Sequence, residues 1–314
     1  MILEQPYHRM MAMTGHDNLP FSYHRPYELI DVSGRTCYKS EPVGDPQLLV
    51  KKLEKSGHHS VFEHAFFTIK VRTGSSQHDF FFGNDFSSTI VKGHDVFVGT
   101  NYRVLNDAAL LPLIEFSASE EEIEWLIKQQ AYGCLGATVR LITNRGVTHE
   151  IVRNRNSFSQ ESTRYCNYAK DKFGAAITVI PPKELVNRFC NPTPLANILL
   201  SIVDKELGVA LGHLTNQQLW EAATGLSEAV YLELVNPRRA IPPQIARGVL
   251  TNDLKTEIVM TASWERWKWF FFQRTAKAAH PHMRQLAIPL YKDFCELEPS
   301  FAGLDIVEDE SSYY

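Results

Sequence analysis

Helical and strand periodicities interleave along these 314 residues without a βαβ rhythm, and that irregular order is what most restricts the fold. DPQLLVKKLEK (45–55) spaces its apolar residues as a helix does and stops at Ser56-Gly57, a glycine terminator. VFEHAFFTIKVR (61–72) is aromatic and β-branched and reads as a strand. From 73 to 107, glycine and serine turns break up short β-like runs, which marks an inserted subdomain or a long excursion. Ser119 with Glu122 forms a capping box ahead of IEWLIKQQAYGCLGATVRLI (123–142), so a helix is expected through much of that stretch. A second long helix is expected over 216–235, cut off by Asn236-Pro237. Residues 254–262 read as a strand, and 264–273 and 276–294 as helices, with Pro281 and Pro289 marking an early and a late bend. The mixture predicts an α+β fold rather than a doubly wound sheet. No internal repeat is evident, and the acidic tail 308–314 is expected to fray.

A chain of this length with 44% apolar residues can bury a full core, as one large domain or two smaller ones. Its net charge of −4 offers no global attraction to nucleic acid or a membrane surface, so any anion site must be local. Five scattered cysteines (Cys37, Cys134, Cys166, Cys190, Cys295), with no C-x-x-C pair, argue against a disulfide framework or a zinc ribbon. Neither an apolar leader nor a run of about 18 apolar residues is present, and a soluble, cytoplasmic protein is expected.

The most informative stretch is HEIVRNRNSFSQESTRYCNY (149–168), where three arginines alternate with hydroxyl and amide side chains. Guanidinium groups bind phosphate bidentately, and serine hydroxyls can complete the cradle. A solvated basic face explains the same composition equally well. Two distant arginines shift the balance: Arg247 in IPPQIARGVL, and Arg274 after the aromatic run 267–272. A cation beside so many rings is partly desolvated and needs an anion or a polarised carbonyl. His58, His59 and His64 lack a second ligand set, so packing, hydrogen bonding or ring stacking outweighs a metal site, and no metal is expected. Cys166 follows Arg164 by two residues, yet a buried structural thiol is a better reading than a nucleophile.

GRTCYKSE (34–41), SGHHSVFEHAFFT (56–68), RGVTHEIVRNR (145–155), SFSQESTRYCNYAKDKFG (157–174), LKTEIVMTA (254–262) and RTAKAAHPHMRQLAIPL (274–290) resemble the flavin-dependent thymidylate synthases, in that family's order. The resemblance implies that family's fold, mixed helices around an antiparallel sheet. It also implies a single catalytic domain over 1–314, with 73–137 as an insertion. The implied reaction passes a one-carbon unit from methylene-tetrahydrofolate to C5 of dUMP. FAD and NADPH supply the reduction, and dTMP is the product. A homotetramer with shared active sites is implied, with no nucleic-acid or membrane partner. Arg153, Arg155, Ser157, Ser162 and Arg164 match the family's arginine-serine signature. By resemblance Glu150, Arg153, Ser162, Arg164 and Arg247 hold the nucleotide, and Arg274 binds the pyrimidine and favours its ionised form, making Arg274 and Ser162 the catalytic pair. Gln160 and Glu161 would meet the base, either uracil or cytosine. The implied cofactor contacts are His58, Ser60, Arg153, Asn154, Arg155, Ser263 and Trp269.

The chain departs from the family on the flavin side. Asn154 replaces a histidine, and the loop from Arg155 to Ser157 is one residue short. Where the family commonly reads N-L-R-E-W-R-H, this chain reads S-W-E-R-W-K-W (263–269), which places Glu265 where an arginine would face an anionic dinucleotide. One account has the insertion restore an N-x-R element through Asn101-Tyr102-Arg103. Another drops flavin and makes a C5-hydroxymethylated nucleotide. A third keeps only nucleotide binding.

Overall fold

Side-chain caps set where the helices begin. In the computed structural model, which describes residues 1–182 and 215–306, Ser119 Oγ accepts the Glu122 amide while Glu122 returns a bond to the Ser119 amide. This is the expected capping box. Asp45 caps the helix Pro46–Lys55 through the Gln47 amide, and Gly57, at φ 72°, takes the left-handed turn beyond its end. Thr215 and Gln218 form a second capping box for Asn216–Val235. Cys190 and the tail 308–314 lie outside the described residues.

In chain order the strands are β1 (Ile2–Leu3), β2 (Tyr7–Met13), β3 (Phe66–Arg72), β4 (Ser88–Lys92), β5 (Asp95–Asn101), β6 (Gly136–Asn144), β7 (Ser157–Gln160), β8 (Thr178–Val179) and β9 (Lys255–Ser263). One sheet has the order β2-β6-β9-β7, and a second, antiparallel one the order β3-β5-β4. β1 and β8 form a short parallel pair. Helices and antiparallel sheets together make the fold α+β, as the patterning predicts.

The helix expected through 123–142 is shorter than its pattern. It spans Glu120–Lys128, Gln130 turns to φ 55°, and residues 136–144 form β6. Every residue of β6 except Arg140 is buried, so its apolar run carries no alternation to mark it as a strand. Its β-branched Thr138, Val139, Ile142 and Thr143 favour extended backbone. Two other boundaries move. A 3-10 turn (His59–His64) precedes β3, and the helix expected from 276 starts at Pro281, whose fixed φ suits a first turn, and runs to Leu297 with Pro289 inside it.

The chain divides into two compact units. The smaller comprises Met1–Pro6, Ile142–His149 and Glu161–Thr256. Its core gathers Cys166, Tyr168, Ile177, Trp220 and Tyr231, which makes Cys166 a buried structural thiol. The larger comprises Tyr7–Leu141, Glu150–Gln160 and Glu257–Tyr314. Here Val61, Phe62, Ile69, Val96, Val98 and Leu105 pack together, so residues from 73–107 belong to its main core. β5 presses closely on the turn at 133–134: a Cβ on Gly99 would stand 2.5 Å from the Cys134 Cα and the Gly133 oxygen. Only glycine permits that approach.

His64 is wholly buried in the larger unit, its Nδ1 2.8 Å from Thr261 Oγ1 and its Nε2 2.9 Å from Ser159 Oγ. Burial lowers its pKa to about 3. The neutral ring is therefore built into the fold. An unfolded chain takes up this proton near pH 6.5 and the native one does not, so stability is complete above about 6.5 and falls as pH drops toward 3. Between pH 7.5 and 5, urea unfolding is expected to lose about 2 kcal/mol that a His64→Gln variant does not lose. Equal losses in the two proteins would refute this role.

Candidate functional site

In the larger unit, Arg274 closes the helix Trp264–Arg274 and Glu150 lies in Arg145–Ile151. Arg274 Nη2 donates to the Glu150 carbonyl oxygen at 2.7 Å, and Nη1 lies 3.4 Å from the Glu150 carboxylate. The arginine thus meets both expected partners, an anion and a polarised carbonyl. Its Nε is buried with no hydrogen-bond partner among the described residues. Burial lowers the Arg274 pKa, Glu150 raises it and Arg153 lowers it again. Two guanidinium groups therefore work against one carboxylate, and the excess positive charge suits an anion or an electron-rich ring.

The smaller unit holds a separate set. Arg164 Nε donates to Gln244 Oε1 at 3.1 Å, and Arg247 Nη1 to Thr163 Oγ1 at 3.2 Å. Ser162 Oγ receives the Arg164 amide at 3.3 Å. Both guanidinium groups are exposed and bound to neutral partners, so their charge stays available to a phosphate. Thr163 and Gln244 were not singled out by sequence reasoning, since short polar side chains carry no signal until folding sets them beside an arginine. Glu161 turns inward instead: it is 2% exposed, accepts from Tyr168 Oη at 2.9 Å and faces Lys255 at 3.9 Å. Gln160 ends β7 opposite Ile258.

A cavity of about 630 Å³ opens in the larger unit, and Arg155, Asn156, Ser157, Thr261, Ser263 and Arg266 help to line it. Its lining also includes Glu63, Asp85, Phe86, Ser87, Ser88, Gly99, Asn101 and Gly133. Arg266 Nη1 donates to the Arg155 carbonyl oxygen. Ser263 caps the helix behind it. Asn156 Oδ1 is buried with no hydrogen-bond partner among the described residues. Of the expected cofactor contacts, Arg155 and Ser263 line this cavity, whereas His58, Ser60, Arg153, Asn154 and Trp269 do not. His58 Nδ1 lies 3.4 Å from Tyr38 Oη, and Ser60 is exposed on the turn that carries Glu63. Asn154 bonds the Ile151 carbonyl, and Trp269, 56% exposed, stacks on Phe272.

Asn101-Tyr102-Arg103 does not stand free as a replacement element. Asn101 caps its own helix at the Val104 amide, and Arg103 Nη1 is 2.6 Å from Glu63 Oε1, with Asp107 3.5 Å from its Nε. Glu63 in turn accepts from Ser157 Oγ at 3.0 Å. Sequence reasoning missed Glu63 and Arg266, although both stand inside stretches that it singled out. Among the described residues, no group of three His, Cys, Asp or Glu side chains is gathered to hold a metal ion. Within the same limits, no helix is long and apolar enough to cross a membrane.

The α+β chain thus carries Arg274 with Glu150 in the larger unit, Arg164 and Arg247 in the smaller, and a polar cavity that Arg155 and Arg266 help to line. The chain belongs to the thymidylate synthase complementing protein family, whose sequence model matches residues 131–300, more than half of its length. It is 30% identical over 178 residues to a flavin-dependent thymidylate synthase of Mycobacterium avium (strain 104), covering 52% of this chain and 59% of that one. A flavin-dependent thymidylate synthase of Mycobacteroides abscessus is 28% identical over 174 residues, covering 51% and 57%. The chain thus spans well under two thirds of these relatives. The family match takes in every expected site residue except His58 and Ser60, which precede it.

Proposed function

We propose that this chain converts dUMP to dTMP as a flavin-dependent thymidylate synthase, with 1–314 as one catalytic domain of that family's fold and 73–137 as an insertion. The observation that carries the reading is the Arg274 guanidinium, desolvated, bonded to Glu150 and crowded by Arg153. C5 of uracil is a weak nucleophile, and a fixed cation at N3 and the ring carbonyls stabilises the charge that develops as it reacts. Arg274 takes that role in the larger unit. Ser162, Arg164 and Arg247 hold the phosphate in the smaller. In the homotetramer that the family resemblance implies, the two sets are contributed by different subunits. Glu161, bonded inward, positions the strand end beside Ser162 and leaves the base to other groups.

The cavity fits a flavin nucleotide: its volume lies within the roughly 300–1,000 Å³ of small-molecule sites, and it combines two arginines with serine hydroxyls. Arg155, Asn156, Ser157, Ser263 and Arg266 would hold it. Bound there, FAD supplies the hydride equivalent that turns the transferred methylene into methyl, and NADPH restores it. The balance is dUMP plus methylene-tetrahydrofolate plus two electrons and two protons, giving dTMP and tetrahydrofolate. The C5 proton leaves as the new carbon–carbon bond forms. A cytoplasmic setting accords with this demand for reduced cofactors.

Incubating the purified protein with dUMP, methylene-tetrahydrofolate, FAD and NADPH is expected to give dTMP by mass spectrometry. Unchanged dUMP would overturn the proposal.

A further inference from the structure

The segment 73–137 does more than enlarge the core. It supplies Asp85, Phe86, Ser87, Ser88, Gly99, Asn101 and Gly133 to the cavity that Arg155, Ser157, Ser263 and Arg266 also line. A second hollow of about 350 Å³ shares Glu63, Phe86 and Asn101 with it and is otherwise lined by Phe80, Asn84, Arg103, Val104, Asp107 and Ala108. The first hollow is polar and cationic, and the second is flanked by rings and aliphatic groups. Arg103 already satisfies Glu63, which leaves Arg155 and Arg266 against Asp85 as the charges of the main cavity. Such a pair of hollows suits an elongated ligand with an anionic centre and flat ends, the chemistry of a dinucleotide.

We infer that this chain rebuilds its flavin dinucleotide site: the segment 73–137 forms one wall, and Arg266 supplies the cation that Glu265 no longer provides. The inference rests on the flavin-dependent reading above. Glu265 and Arg266 are adjacent on one helix, so a step of one residue turns the side chain by about 100°. Arg266 lines the main cavity and bonds the Arg155 carbonyl, while the Glu265 carboxylate sits beside Gly133, 3.4 Å from where a Cβ there would stand. Arg266 thus offers a positive charge one residue on from the arginine-to-glutamate change. Glu63 joins the two sides, held by Arg103 of the segment and holding Ser157 of the arginine-serine signature.

The test is FAD affinity of the full-length protein, read by flavin fluorescence, with dUMP affinity measured by calorimetry in parallel. Arg266→Glu is expected to weaken FAD binding at least tenfold. Asp85→Trp, at an exposed lining position, is expected to do the same by filling the cavity. Both should keep the unaltered circular dichroism and dUMP affinity. If the unaltered protein binds FAD and both variants bind it equally well, the rebuilt site is refuted and the flavin-dependent reading stands. If the unaltered protein binds no FAD, both fall.

Discussion

Arg274→Ala is expected to lower kcat for dTMP formation by about two to three orders of magnitude while the protein stays folded. The size follows from losing one preorganised charge stabiliser in a desolvated site. Arg274 lies at the last turn of its helix and is 15% exposed, so the truncation leaves the aromatic core behind it intact. The Glu150 carbonyl, 2.7 Å from Arg274 Nη2, loses its donor, and a modest loss of stability accompanies the change. Arg274→Lys should not rescue, because an ammonium cannot serve the Glu150 carbonyl and a ring edge in one plane as the planar fork does. Steady-state kinetics and calorimetry separate the effects: dUMP affinity should weaken far less than turnover. Full activity in Arg274→Ala would remove this residue from the chemistry.

The second large effect lies one turn earlier on the same helix. Phe271→Ala is expected to destabilise the protein by about 4 kcal/mol, the usual cost of emptying a ring-sized core site. Phe271 is fully buried, with ring centroids 5.0 Å from Phe294, 5.3 Å from Tyr291 and 5.7 Å from Trp267. Its neighbour Phe272 is 57% exposed and stacks on Trp269 at the surface. Phe272→Ala should cost less than about 1 kcal/mol. Urea unfolding of the two variants is the check, and equal losses would contradict the placement of this helix.

Much of this was legible from residue types. The Ser119–Glu122 capping box, the glycine stop after 45–55, the helix over 216–235 and the strand near 254–262 are local features, and local chemistry decides them. Residues 136–144 misled because a strand buried on both faces shows no alternation, leaving its apolar run open to a helical reading. The arginines were legible for a different reason: few roles suit a guanidinium beside a run of rings. What no local pattern could reveal is partnership. Glu63, Arg266 and the wall at 85–88 meet only once β5 lies on 133–134 and β7 on β9. The charge reversal at Glu265 was visible in the sequence, but its offset by Arg266 depends on the helical phase of two adjacent residues. Glu161 shows the reverse case, an acid read as a ligand contact whose carboxylate the fold turns inward to Tyr168.

The measurement that bears most directly on the central claim is a single turnover under anaerobic conditions. The protein is loaded with stoichiometric reduced FAD and mixed with dUMP and methylene-tetrahydrofolate, without NADPH, and the nucleotide product is identified by mass. One equivalent of dTMP, with flavin oxidised in step, is the predicted result. A hydroxymethylated nucleotide, or dTMP formed equally well with no flavin present, would contradict it.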